Sequence, residues 1–155
     1  MNAIQAAERF LELRRFAFVG VSRDPASFSR RVYEAFLERG YDVVPVHPAA
    51  AEIDGRRAFS SVAEIEPPVE GVFLLVSPDA AARAAHDALA RGVRQIWFHR
   101  GAGPGSSSPA ALDECAAAGV APVTDLCPFM VLPGTGLGHR LHGWFRKRKL
   151  ARRSS

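Results

Sequence analysis

The chain has 155 residues, 48% of them apolar and 23% charged, enough for one domain with a core that needs no metal or disulfide staples. No apolar run approaches the ~20 residues of a membrane span. The N-terminal MNAIQAAERFLELRRF carries acidic residues and lacks the layout of an export signal, and the only cysteines are Cys115 and Cys127, so the expectation is a cytoplasmic protein with reduced thiols.

The formal charge of +4 sits at one end. From Arg140 onward there are seven Lys or Arg and no carboxylate, and removing those seven from +4 leaves the body at −3. A domain that clamps a phosphate backbone would carry its cations across a face of the fold, so this distribution argues against nucleic acid.

In chain order, residues 2–13 place Ile4, Ala7, Phe10 and Leu11 at helical spacing and predict a leading amphipathic helix packed on the domain. Phe16 to Val21 is a short, nearly continuous apolar run, as expected of a strand buried on both faces of a parallel sheet. Four more such runs follow, at residues 42–46, 69–76, 94–98 and 120–124. Helical segments are predicted between them at residues 29–39, 78–91 and 109–118, with a short one near residues 60–65. Gly40, Gly92 and Gly119 close three of these helices, and Ser77-Pro78 and Ser108-Pro109 open two. Strands alternating with helices through short connections give an α/β fold: Rossmann-like, about five parallel strands, helices on both faces. GAGPGSSSP, residues 101–109, reads as a flexible loop. In the extension 129–155, Leu137, Leu141, Trp144 and Phe145 share one face of a predicted basic C-terminal helix.

Ligands of open parallel sheets bind outside the carboxyl ends of the strands, where strand order reverses. After the first strand, Gly20 lets backbone approach a ligand, and the helix starting near Ser29 aims free amides at an anion. Ser22, Ser27 and Ser29 offer hydroxyl protons, and Arg23, Arg30 and Arg31 add positive charge. The bland alternative is a tight strand-to-helix turn with solvated arginines. The second and third glycines of GxGxxG are missing, with Ser22 and Pro25 in their places, and so is the GKS or GKT of a P-loop.

The ordered set FVGVS, GYDVVPVHP, VEGVFLLVSP, RQIWFH and DLCP, spanning Arg14 to Pro128, resembles the small bacterial coenzyme A-binding domain family and the coenzyme A-binding domain of the succinyl-CoA synthetase α subunit. The resemblance implies a Rossmann-like domain over residues 14–128 with a coenzyme A site at its strand ends. By position, Gly20, Ser22 and Arg23 would meet the pyrophosphate and neighbouring groups, with Arg30 a further phosphate partner. Val46 and Pro48 would border the adenosine, Val76, Ser77 and Pro78 would line the third strand's mouth near the nucleotide, and His99 would lie where the pantetheine arm passes. His47 stands where many relatives have asparagine, His99 replaces the common glutamine, and GAGPGSSSP departs from the usual acidic continuation. The absence of Asp or Glu from Val46-His47-Pro48 also counts against NAD, whose ribose hydroxyls call for a carboxylate there.

No catalytic constellation emerges. His86 falls in an Ala-rich helix, His139 and His142 lack companion metal ligands, Asp24 and Asp125 have no paired acid, and Cys127 reads as a packed thiol unless its pKa is lowered. The preferred reading is a non-catalytic protein for coenzyme A or acyl-CoA, with a second copy or a partner enzyme as candidate protein partners. One alternative is an acyl-CoA or nucleotide-dependent transferase or ligase component that needs a partner chain. A weaker one is a redox-responsive nucleic-acid regulator using the basic tail.

Overall fold

A computed structural model describes residues 2–100 and 103–133. The expected basic C-terminal helix lies outside the described residues. Five parallel strands form the main sheet: β1 (Arg15–Val19), β2 (Asp42–Val46), β5 (Gly71–Leu74), β6 (Gln95–His99) and β7 (Val123–Leu126), in the order β2-β1-β5-β6-β7. A hairpin of β3 (Glu52–Ile53) and β4 (Arg56–Arg57) forms a separate two-stranded sheet. The helices are α1 (Ala3–Leu11), α2 (Phe28–Glu38), α3 (Pro78–Ala90) and α4 (Pro109–Ala117). This is the Rossmann-like α/β class expected from the alternation of strands and helices.

Local chemistry explains the helix boundaries. Asn2 and Gln5 exchange side-chain-to-backbone hydrogen bonds in a capping box that starts α1. Ser27, Ser77 and Ser108 each accept a backbone amide at the start of α2, α3 and α4. Where a short helix was expected near residues 60–65 there is one 3₁₀ turn, Val62–Glu64, because Pro67 and Pro68 leave no room to propagate it.

The two faces of the sheet are built differently. Phe16, Phe18, Phe73 and Trp97 point toward α1 and α2 and join Phe10, Tyr33 and Phe36 in a wholly buried aromatic layer. Its rings meet mostly edge to face, with centroids 4.9 Å apart for Phe10–Phe16 and 5.5 Å for Phe10–Trp97; such pairs add about 1 kcal/mol each beyond burial. The alternate strand residues, including Ala17, Val19, Val72, Leu74, Ile96 and Phe98, face Ala81, Ala84, Ala85 and Ala88 of α3. Side chains that small let α3 lie close to the sheet.

β2 is the sheet edge, which is why it tolerates Pro45, a residue without an amide proton. Phe59 covers part of that edge: its amide donates to the Pro45 carbonyl (3.0 Å) and its carbonyl accepts the His47 amide (2.9 Å). The hairpin before it turns through Asp54 (φ 47°) and Gly55 (φ 78°), the two left-handed residues that a tight type I′ turn needs. Ile53 pins it to the aromatic layer.

Candidate functional site

From β1 the chain crosses outward to β2, then returns past β1 to start β5, so strand order reverses between β1 and β5. A crevice outside the carboxyl ends of these strands is where an open α/β sheet takes a ligand. A cavity of about 540 Å³ opens there, within the size range of small-molecule sites.

The strand ends make its floor through Val19, Val46 and Val76, with Gly20, Val21 and Ser22 along the loop that leaves β1. His47 and Pro48 form one wall, Ser60, Ser61 and Val62 the next, and Ala80, Arg83, Ala84 and Asp87 of α3 the third. The result is an apolar slot with hydroxyl, imidazole and guanidinium groups at its margins. Gly20 is fixed by packing: at φ 107° an added Cβ would lie 2.0 Å from the Leu75 carbonyl oxygen and 2.7 Å from Val76 Cγ1, so β1 and β5 close up tightly beneath the slot.

The loop after β1 is internally braced. The Ser22 amide donates to Ser29 Oγ (3.0 Å), the Asp24 amide to Ser22 Oγ (3.0 Å) and the Ala26 amide to Asp24 Oδ1 (2.9 Å). Ser22 Oγ thus serves as acceptor within the loop and keeps its own proton for a ligand. Ser27 and Ser29, expected as further donors, share a hydrogen bond of 3.3 Å and serve the backbone amides of Arg30 and Ser22.

At the end of β2, His47 Nδ1 accepts the amides of Ala49 (3.0 Å) and Ala50 (2.9 Å). That pattern assigns the proton of the neutral ring to Nε2. Partial burial, and after it the nearby Arg23 charge, hold the imidazole below its usual pKa.

Of the residues singled out by the sequence, Gly20, Ser22, Val46, Pro48 and Val76 come together on the cavity. Ser77 and Pro78 start α3 directly after Val76. Arg23 is exposed in the loop, close enough to act on His47. Arg30 is elsewhere: its residue is 2% exposed, and its Nη1 donates to the carbonyls of Ser22 (3.3 Å) and Arg23 (3.4 Å) from behind the loop. His99 lies on the aromatic face at the end of β6, between Phe28 and Phe73 (ring centroids 5.7 and 6.1 Å). Burial lowers its pKa, and its Nε2 has no partner among the described residues.

Sequence reasoning missed Ser60, Ser61, Arg83 and Asp87 as lining residues. In PDAAARAAHDALA, Ala80, Arg83, Ala84 and Asp87 recur at three- and four-residue spacing on one helical face, a signal that could have placed them. It also missed Ser106, inside the glycine-rich loop. Ser106 is buried, and its hydroxyl accepts the Val76 amide (3.2 Å) and donates to the Val76 carbonyl (2.7 Å), anchoring that loop beside the site.

A family model described as CoA binding domain matches residues 14–133. The chain belongs to the CoA-binding domain family. This CoA-binding domain protein is 31% identical to YneT of Bacillus subtilis (strain 168) over 88 residues, which span 57% of this chain and 65% of that one. The crystal structure of Prb, the PH1109 protein redesigned for binding, matches with a TM-score of 0.76 at 30% identity, covering 88% of this chain and 96% of that chain. The dinucleotide-forming acetyl-coenzyme A synthetase 1 of Ca. Korarchaeum cryptofilum shares the fold at a TM-score of 0.59 and 19% identity, covering 70% of this chain and 25% of that much longer one.

The slot is apolar, Ser22 Oγ and His47 Nε2 retain protons to donate, exposed Arg23 adds positive charge near His47, and Arg83 and Asp87 put one charge of each sign on the α3 wall, with no carboxylate at the end of β2. Among the described residues, no group of three His, Cys, Asp or Glu could hold a metal ion, and no helix is long and apolar enough to cross a membrane. Cys115 and Cys127 are both free and buried.

Proposed function

We propose that this protein binds coenzyme A or an acyl-CoA thioester without transforming it. The observation that carries the reading is the cavity at the strand-order reversal, bounded by the ends of β1, β2 and β5 and free of acid at the β2 position where a dinucleotide enzyme needs one. Family membership supports the choice of nucleotide. In this reading Gly20, Ser22 and Arg23 meet the pyrophosphate, Val46 and Pro48 border the adenosine, and Val76, Ser77 and Pro78 flank the nucleotide. Arg30 serves the phosphates through the loop it braces. The pantetheine arm runs along the carboxyl edge toward His99, whose Nε2, without a partner among the described residues, would give one of the arm's amides a hydrogen-bonding group.

Thermal melts with coenzyme A, acetyl-CoA, NAD, FAD and ATP test this. A ligand bound only by the folded state adds about 2.7 kcal/mol at about one hundred times its dissociation constant. A rise in Tm with coenzyme A or its thioester, and none with NAD, is the expected result; no shift with either at millimolar concentration would overturn it.

A second reading draws on the same buried His99. An imidazole whose Nε2 has no partner among the described residues, at the carboxyl edge beside exposed Phe28, suits a transferase or ligase component completed by a partner chain. It predicts acyl transfer only when a partner subunit is added, with loss of turnover in His99→Ala.

A further inference from the structure

The Arg30 guanidinium is buried and engaged on two sides. One side holds the Ser22 and Arg23 carbonyls, and the other forms an ion pair with Asp54, at the tip of the β3–β4 hairpin. Glu34, one turn along α2, stands 3.8 Å away as a second counter-charge. The hairpin is the segment between two cavity walls: the chain enters it from His47-Pro48 and leaves it into Ser60-Ser61. Apart from Ile53 and Ala58, which pack in the core, its eight-residue path from Ala51 to Ala58 is largely exposed.

We propose that the Arg30–Asp54 pair is a latch that joins the ligand-facing loop after β1 to this hairpin, so that the walls bearing Ser22, His47 and Ser61 are set as one unit. Arg30 and Asp54 are then positioning residues: neither touches the ligand, and both decide how well its binding groups converge. The physical reason is the asymmetry of the pair. Asp54 is exposed and gains little from an ion pair in water, whereas a guanidinium 3% exposed must have its charge answered, and Asp54 is the nearer of its two counter-charges, Glu34 at 3.8 Å being the weaker reserve. The demand of the buried partner therefore holds the exposed hairpin tip against the loop. By linkage, a ligand that orders the loop orders the hairpin, and the reverse.

This rests on the coenzyme A reading, but one arm of its test does not. Asp54→Ala leaves Glu34 to answer Arg30, so the variant folds. In the ligand-free protein, hydrogen exchange at the Ser22 and Asp24 amides is expected to speed up in Asp54→Ala, although Asp54 lies some thirty residues away in sequence. With coenzyme A, the native protein is expected to slow exchange at both the loop amides and the hairpin amide of Ala58, whereas Asp54→Ala slows the loop alone and binds about tenfold more weakly. Arg30→Lys, which keeps the charge and loses the fork, is expected to behave like Asp54→Ala. Unchanged ligand-free exchange in the loop overturns the latch whether or not coenzyme A binds. A lowered Tm with unchanged loop exchange and unchanged affinity would reduce the pair to a structural contact and overturn it as well. If loop exchange responds but coenzyme A does not bind, the latch stands and the ligand assignment fails.

Discussion

His47 accepts the backbone amide of Ala50 at Nδ1, 2.9 Å away, and so closes the turn that follows β2. The shared acceptor, which also takes the Ala49 amide, performs the role that an asparagine carbonyl oxygen would perform at this position. His47→Asn is therefore expected to retain the turn, whereas His47→Ala costs about 1 kcal/mol and weakens coenzyme A binding. Chemical denaturation and calorimetric titration of the two variants check the order.

Protonating Nδ1 would destroy both hydrogen bonds, which gives the site a pH dependence. The folded pKa of His47 is lowered, by burial and then by Arg23, and burial also lowers that of His99. For a histidine depressed on folding, the unfolded chain takes up the proton first. The stabilisation is complete above the unfolded value of 6.5 and is lost as pH falls from there through the folded value. Stability and coenzyme A affinity are expected to decline together on acidification, less steeply in His47→Asn; melts and titrations across that window read both.

Gly20→Ala is expected to destabilise the fold by about 3 kcal/mol, from left-handed backbone strain together with overpacking. The new methyl has no space beside the Leu75 carbonyl. Gly40→Ala is the control: its φ is also positive, at 87°, but nothing lies within 4 Å of the added carbon, so it should cost about 1 kcal/mol. Urea midpoints compare the two.

His86 Nδ1 and Glu114 Oε1 lie 2.5 Å apart and tie α3 to α4. The hydrogen bond and charge of Glu114 raise the pKa of the imidazole. Here the sign is opposite to that of His47: the contribution is complete below the unfolded value of 6.5 and disappears as pH rises through the folded value. NMR titration should give a His86 pKa above 6.5 that drops in Glu114→Gln. Both groups are exposed, so salt should weaken the effect.

Cys115 is fully buried on the inner face of α4, and burial pushes its thiol up to about 11. Because the thiolate is the reactive form, Cys115 should resist alkylation at pH 8 in the folded protein and react on denaturation. Mass spectrometry after timed iodoacetamide treatment reports this directly.

The frame of the molecule is legible in its sequence because the signals are local. DVVPV is bounded by Gly40 and His47-Pro48 and forms a strand from Asp42 to Val46; Ser77-Pro78 starts a helix at Pro78. The strand ends on the cavity are legible for the same reason, since Val46 and Val76 each end an apolar run and Gly20 lies at the close of another. What sequence reading misses depends on distant contacts. Arg30 reads as a phosphate partner beside a helix start, yet its surroundings are set by Asp54, 24 residues later. The hairpin had its own mark in Asp54-Gly55, but its two-residue strands are too short to show alternation.

The placement of Trp97 has a practical consequence. Its ring lies in the aromatic layer, with Nε1 donating to the Leu126 carbonyl at 3.0 Å, while the cavity opens on the opposite, alanine-lined side of the sheet. In a Trp144→Phe background the emission of this one indole would follow unfolding faithfully and stay almost blind to an occupant of the cavity. Fluorescence would then serve as a clock for the scaffold, and ligand binding would have to be read by another signal.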